Sequence, residues 1–196
     1  MSGGPAGPSV HPGALPALRW RPEPPTGGST VQFTVTETIA ATRDQVLRAL
    51  AEPGYYAYLG SSTTAVRAPE LLDVAVDGGT LRTSVRYAFD GTISGPAAVI
   101  VDADTLTWVI ESTYDLGAHT GTLVVVPDHY HGMLRCDGTL RLEDDGGGST
   151  IETVSGRLEV KVPLLSGAVE KAIFGGFSRH LELESAAMAG YCAGLR

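Results

Sequence analysis

A chain of 196 residues with 43% hydrophobic content holds enough apolar material for one well-cored domain and is short for two. Its 14 basic and 22 acidic residues leave a net charge of −8, unlike proteins that grip a polyanion with clustered Lys and Arg, so nucleic acid is not an expected partner. No stretch approaches the roughly eighteen unbroken apolar residues of a membrane-spanning helix, and runs such as Leu123 to Val126 are the length of a strand, so no membrane span is expected.

Residues 1–30 mix Pro and Gly with almost no periodic apolar pattern, a composition that buries too little surface to offset the entropy of ordering. The expectation there is a disordered tail whose one apolar cluster, Leu15, Leu18 and Trp20, is free to dock on the domain or on a partner. The segment lacks a basic start, an apolar stretch and a small-residue cleavage site, so it does not read as a signal peptide and a cytoplasmic location is expected. In that compartment Cys136 and Cys192 are expected to be free thiols.

The domain is expected to span 31–196. Val31, Phe33, Val35 and Ile39 alternate with Gln32, Thr34, Thr36 and Thr38, which marks a half-buried strand. Thr42 and Gln45 form a capping box ahead of Val46, Leu47 and Leu50, predicting a helix over 43–52 that Pro53-Gly54 stops. Tyr55, Tyr56, Tyr58 and Leu59 suggest a second, shorter helix. Strands then follow at 63–76 and 80–90, joined by Asp77-Gly78-Gly79, and at 97–102, 105–114, 119–126, 131–143 and 150–162. The turn from Asp144 to Ser149 is glycine-rich for the sake of the reversal. It lacks the strand-to-helix setting and the Lys-Ser/Thr of a phosphate loop.

From Pro163 to Leu195, Leu165, Val169, Ile173, Phe177 and Leu181 recur at four-residue intervals, an amphipathic stripe on one long helix. No strand alternates with a helix, so the fold class is α+β. The expected architecture is a curved antiparallel sheet of six to seven strands, two short helices after the first strand, and the long helix across the concave face.

That order resembles the START-like, helix-grip superfamily, the SRPBCC group that includes polyketide cyclases, pollen-allergen-like binders and lipid-transfer domains. Two segments carry the resemblance, FTVTETIAATRDQVLRALAEPGYYAYLG at 33–60 and SGRLEVKVPLLSGAVEKAIFGGFSRHLELE at 155–184. The second is similar to an uncharacterised actinobacterial branch, a domain of unknown function, in which a strand ending in Lys, Val or Ile and Pro runs straight into the helix. The resemblance implies a deep pocket between sheet and helix. It leaves the reaction open, because members include carriers, cyclases, hydrolases and regulators.

Glu37 occupies the apolar parity of its strand, where a carboxylate facing a pocket would have a raised pKa and could act as general acid or base or hold a polar group of a ligand. The plainer alternative is that the strand is ending and Glu37 turns to solvent or to an Arg. His180 lies one position from the helix stripe with Glu184 one turn on, which suits either a pocket edge or an ordinary surface pair. Phe33, Tyr87, Phe89, Trp108 and Ile110 share the apolar parity of their strands and, with Phe174 or Phe177, are candidates to touch a ligand. His129 and His131 share a parity, as two metal ligands could, with His119 as a possible third. His131 falls on the polar side of the following strand, however, so an exposed pair is expected and no metal. Gly175-Gly176 either thins the helix at a pocket mouth or lets it approach the sheet closely.

The favoured expectation is therefore a module that binds an apolar small molecule, lipid-like or polycyclic, in a cavity between sheet and helix. The alternatives are a cyclase- or hydrolase-type enzyme, in which Glu37, a histidine and Tyr58 or Tyr87 converge in that pocket, and a packed domain acting through its surface. No cofactor is implied, and the sequence does not fix an oligomeric state.

Overall fold

The computed structural model describes residues 21–22, 29–62, 66–89, 102, 105–161 and 166–194; for 21–22, 29, 66–68 and 166–174 the backbone path alone is described. Its elements run β1 (Arg21–Pro22), β2 (Ser29–Ile39), α1 (Arg43–Leu50), α2 (Pro53–Ser62), β3 (Val66–Asp77), β4 (Thr80–Phe89), β5 (Thr107–Asp115), β6 (Thr120–Pro127), β7 (Leu134–Asp144), β8 (Thr150–Val160) and α3 (Ser166–Gly194). The strand expected at 97–102 lies outside the described residues, save Asp102, which is not in a strand.

All strand pairings are antiparallel, in the order β1-β2-β8-β7-β6-β5-β4-β3. The first long strand thus lies beside the last, and α1 and α2 carry the chain from β2 to β3, which lies at the opposite edge of the sheet. Arg21–Pro22, inside the expected leader, pairs with Gln32 and Val31 of β2.

Local chemistry explains the helices. Thr42 caps α1: its Oγ1 accepts from Gln45 N at 3.4 Å while its own N donates to Gln45 Oε1 at 2.9 Å. Pro53, expected only to stop α1, is also the first residue of α2, where a missing N–H costs nothing, so the second helix is longer than its tyrosines suggested. Val46, Leu47, Ala49 and Leu50 of α1 and Tyr55, Tyr56 and Leu59 of α2 are buried.

Period-two alternation sets the inward face of the sheet. The register aligns Leu81, Tyr114, Gly121, Leu140, Val154 and Val35 in one row across six strands, and Thr83, Ser112, Leu123, Gly138, Gly156 and Phe33 in the next. Gly156 is a close-approach position. A Cβ there would meet the carbonyl oxygen of Asp137, and would stand 2.9 Å from both Gly138 Cα and Phe33 Cζ. The ring tip of Phe33 covers the space that a side chain at 156 would have taken, and a Cβ on Gly138 would stand 2.8 Å from the Ser155 carbonyl oxygen. Phe177 of α3 meets that ring edge-on at 5.2 Å, and α3 thereby closes over the concave face.

Candidate functional site

Sheet and helices do not meet everywhere. Between the inward face of β4–β8 and the three helices lies a cavity of about 70 Å³, room for roughly five water molecules or a compact ligand. Ile39, Val85, Ile110, Leu123, Leu140 and Met188 give it apolar walls, and a set of polar side chains projects between them.

Glu184 on α3 is the hub of that set. Tyr55 from α2 and Tyr87 from β4 both direct their hydroxyls at Glu184 Oε1, each at 3.5 Å. His180, one turn earlier on the helix, places Nε2 3.3 Å from Glu184 Oε2. The imidazole is only 5% exposed and stands edge-on to the Tyr87 ring at 5.0 Å. Despite the short distance to Glu184, neither ring nitrogen has hydrogen-bond geometry to any group, and the buried Ser185 Oγ beside it has no partner either. These contacts lie at the weak edge of hydrogen bonding, so the cavity is under-satisfied for buried polar groups.

Glu152 enters from β8, directly opposite Glu37 of β2. It keeps a little accessible surface because it faces the cavity, but protein surrounds it. That burial, with Glu184 and then Glu37 adding like charge, pushes its carboxyl up to about 7. Burial likewise pushes the Tyr55, Tyr87 and Tyr114 hydroxyls well above the usual phenol range, with Glu184 or Glu152 adding to it. Near neutrality the cavity thus holds phenols that remain donors and, in Glu152, a carboxyl that exchanges its proton, with Glu184 and His180 alongside. Such a set can hold or move a proton at a ligand that sits among it.

A family model described as "Protein of unknown function (DUF2505)" matches residues 34–192. The chain belongs to that family. No curated protein sequence matches it. Among solved structures, TTHA0849 from Thermus thermophilus is similar at 15% identity and a TM-score of 0.59, over 84% of this chain and 98% of that one. The Zhui aromatase/cyclase from Streptomyces sp. R1128 is similar at 16% identity and a TM-score of 0.59, over 84% and 94%. Norcoclaurine synthase from Thalictrum flavum, in a complex with dopamine and hydroxybenzaldehyde, is similar at 16% identity and a TM-score of 0.56, over 87% and 90%. At these identities the likeness fixes the fold: this DUF2505 chain has the START-like helix-grip fold.

Of the sequence-derived candidates, Tyr87, Ile110, Phe177 and His180 line the cavity. Phe33, Glu37, Phe89 and Trp108 stand outside its wall. Phe33 is core, and Trp108 stacks on the back of Tyr87 at 6.1 Å. Glu37 is half-buried, and burial followed by the charge of Glu182 raises its pKa. The side chain of Phe174 lies outside the described residues. The surface reading of His180 and Glu184 is corrected by the burial of His180, and Tyr58 packs on Tyr191 at 38% exposure and does not line the cavity. His129 and His131 are exposed, while His119 stands 3.9 Å from Asp44; among the described residues no group of His, Cys, Asp and Glu is placed to hold a metal. Gly175 and Gly176 are exposed with open space where a Cβ would be, so the close-approach reading fails. Cys136 and Cys192 are free and buried, and among the described residues no helix is long and apolar enough to cross a membrane.

Glu152, Glu184, Tyr55, Tyr114 and Ser185 complete the polar set. The parity argument that singled out Glu37 applies equally to Glu152, which shares the parity of Thr150, Val154 and Leu158, and to Tyr114, which shares that of Ile110 and Ser112. Ser185 carried a signal as well: it stands four residues after Leu181, at the next interval of the stripe Leu165, Val169, Ile173, Phe177 and Leu181, which places it on the inward side of the helix.

Proposed function

We propose that the protein binds an apolar small molecule in the cavity between sheet and α3. The observation that supports this is a space with aliphatic and aromatic walls where the buried His180 nitrogens and Ser185 Oγ find no protein partner. A solid core would satisfy or omit such groups; a ligand site leaves them for its occupant. A lipid-like or polycyclic metabolite, for which the cavity would have to widen from its present 70 Å³, remains within this proposal. One observation favours a second reading, proton-transfer catalysis: Glu152 titrates near 7, within the same cavity as Glu184 and His180. Glu37 and Tyr58 would have no place in that chemistry. The test is native mass spectrometry of the full chain, gently purified, against its denatured mass, followed by incubation with a panel of lipids and polycyclic aromatics. A discrete added mass, native or acquired, is the expected result; a bare mass throughout, with no thermal shift from any compound, would refute the proposal.

A further inference from the structure

The cavity walls carry a strong charge bias. Among the described residues that line it there are two carboxylates, Glu152 and Glu184, and neither Lys nor Arg; His180 is the only lining group able to become a cation. Tyr56 Oη is already committed, donating to Leu50 O at 2.8 Å. Tyr55, Tyr87 and His180 approach Glu184 only at 3.3 to 3.5 Å. Glu184 is therefore weakly satisfied beside the second carboxyl, Glu152, and the unpartnered Ser185 Oγ, 6% exposed, lines the same cavity.

We infer that the occupant is a compact protonated amine on an apolar ring or chain, seated with its nitrogen between Glu184 and Glu152 and its body against the aliphatic wall. This rests on the cavity-binding reading above and adds the ligand's charge. An ammonium supplies three donors, which match a carboxylate oxygen on each glutamate and the Ser185 hydroxyl. A neutral occupant leaves the carboxylates as poorly satisfied as before. A carboxylate or phosphate places like charges together in a site with one possible counter-ion, an arrangement that strongly disfavours binding.

The groups facing Glu152 and Glu184 are His180 on α3, Glu37 on β2, Tyr87 on β4, Tyr114 on β5 and Tyr55 and Tyr56 on α2. Apart from His180 none can carry positive charge. A bound cation therefore favours the charged form of Glu152, so uptake of the amine releases a proton and tightens as the pH rises through about 7.

The experiment uses the full chain and three probes on one scaffold: benzylamine, benzyl alcohol and benzoate, with the 1-naphthylmethyl amine, alcohol and 1-naphthoate as a larger set. Affinities are read by titration calorimetry and by amide chemical-shift changes at pH 6 and pH 8. The amine is expected to bind about tenfold or more tightly than the alcohol, the carboxylate weakest, and the amine about tenfold tighter at pH 8 than at pH 6. Glu184→Gln is expected to cut the preference for the amine over the alcohol below about threefold, whereas Glu143→Gln, the same charge change on the exposed end of β7, leaves that preference intact. If Glu184→Gln does not fold, Glu152→Gln decides by the same criterion. An alcohol or carboxylate that binds as tightly as the amine, or a preference that survives the cavity variant, overturns the ligand class and leaves the cavity reading standing. No binding by any probe overturns both.

Discussion

Replacing Glu152 by Gln isolates the energetic cost of placing a carboxyl group in this cavity. Gln keeps the shape and cannot ionise. Glu152 titrates at about 7 in the folded protein against 4.5 for the free side chain, so folding raises its pKa. Below 4.5 the folded and unfolded chains both hold the proton and the group is neutral in its effect. Between 4.5 and about 7 the unfolded chain releases its proton while the folded protein keeps it, so stability falls as pH rises; above 7 the loss is complete. At about 1.4 kcal/mol per pH unit, the loss is about 3 kcal/mol, or roughly 6–12 °C in melting temperature for a domain of this size. Thermal melts of parent and Glu152→Gln at half-unit steps from pH 4 to 8.5 should coincide at the acid end and diverge through the window, the variant melting higher at pH 8.5. Glu37 also has a raised pKa and contributes a slope of the same sign in both proteins; losing the neighbouring Glu152 charge relaxes it in the variant, which adds to the divergence in the same direction. A constant gap across the range, or a variant that melts lower at high pH, would show that the carboxyl is solvated and the cavity geometry wrong.

Other variants test the frame around the site. Gly156→Ala puts a Cβ against the Asp137 carbonyl, which is backbone and yields only if the strands separate; a loss of about 2–3 kcal/mol is expected as a lower urea midpoint with unchanged slope. Thr42→Ala removes the acceptor for Gln45 N and should cost about 1 kcal/mol in the same assay, with no effect on probe binding. Phe177→Ala removes the ring that meets Phe33 and part of the cavity wall, so about 2 kcal/mol is lost while uptake of a neutral apolar probe increases. Unchanged uptake in that last variant would place the ligand elsewhere.

The fold was largely legible because each of its signals is local. Alternation in β2, the Thr42–Gln45 capping box, the Asp77-Gly78-Gly79 turn and the four-residue stripe of the last helix depend on neighbours in sequence, and each marks an element that the structure contains. Pro53 is ambiguous by the same standard: a proline ends one helix and begins another with equal ease, and only the burial of Tyr55, Tyr56 and Leu59 decides. The site was legible by half. Parity shows which side of a strand a residue faces but not how far along the strand the helix has lifted off, so Phe33, under Phe177, and Ile110, in the wall, look alike in sequence. Glu37 and Glu152 are indistinguishable for the same reason. They are direct register partners, 115 positions apart (152 − 37), and which of them enters the cavity depends on where α3 crosses.

That crossing shows why the polar set lies where it does. Phe177 and Leu181 press α3 onto the sheet, and α2 and α3 are held together further along, where Tyr191 Oη donates to Glu52 Oε2 at 2.9 Å and a Cβ on Gly190 would stand 2.6 Å from Tyr58 Oη. Between those two clamps the helix presents His180, Glu184 and Ser185 to a sheet that answers with Thr83, Ser112, Tyr114 and Glu152 instead of larger aliphatic residues. Leucines at several of these positions would fill the space and end the charge repulsion between Glu152 and Glu184, and replacing buried charges by apolar groups of similar volume is commonly neutral or stabilising. The loss at Glu152 alone, about 3 kcal/mol, is set against the roughly 5–15 kcal/mol that a fold typically has in total. Residues that stability alone would discard, gathered in one space from α2, α3 and three strands, are what a site kept for a ligand requires.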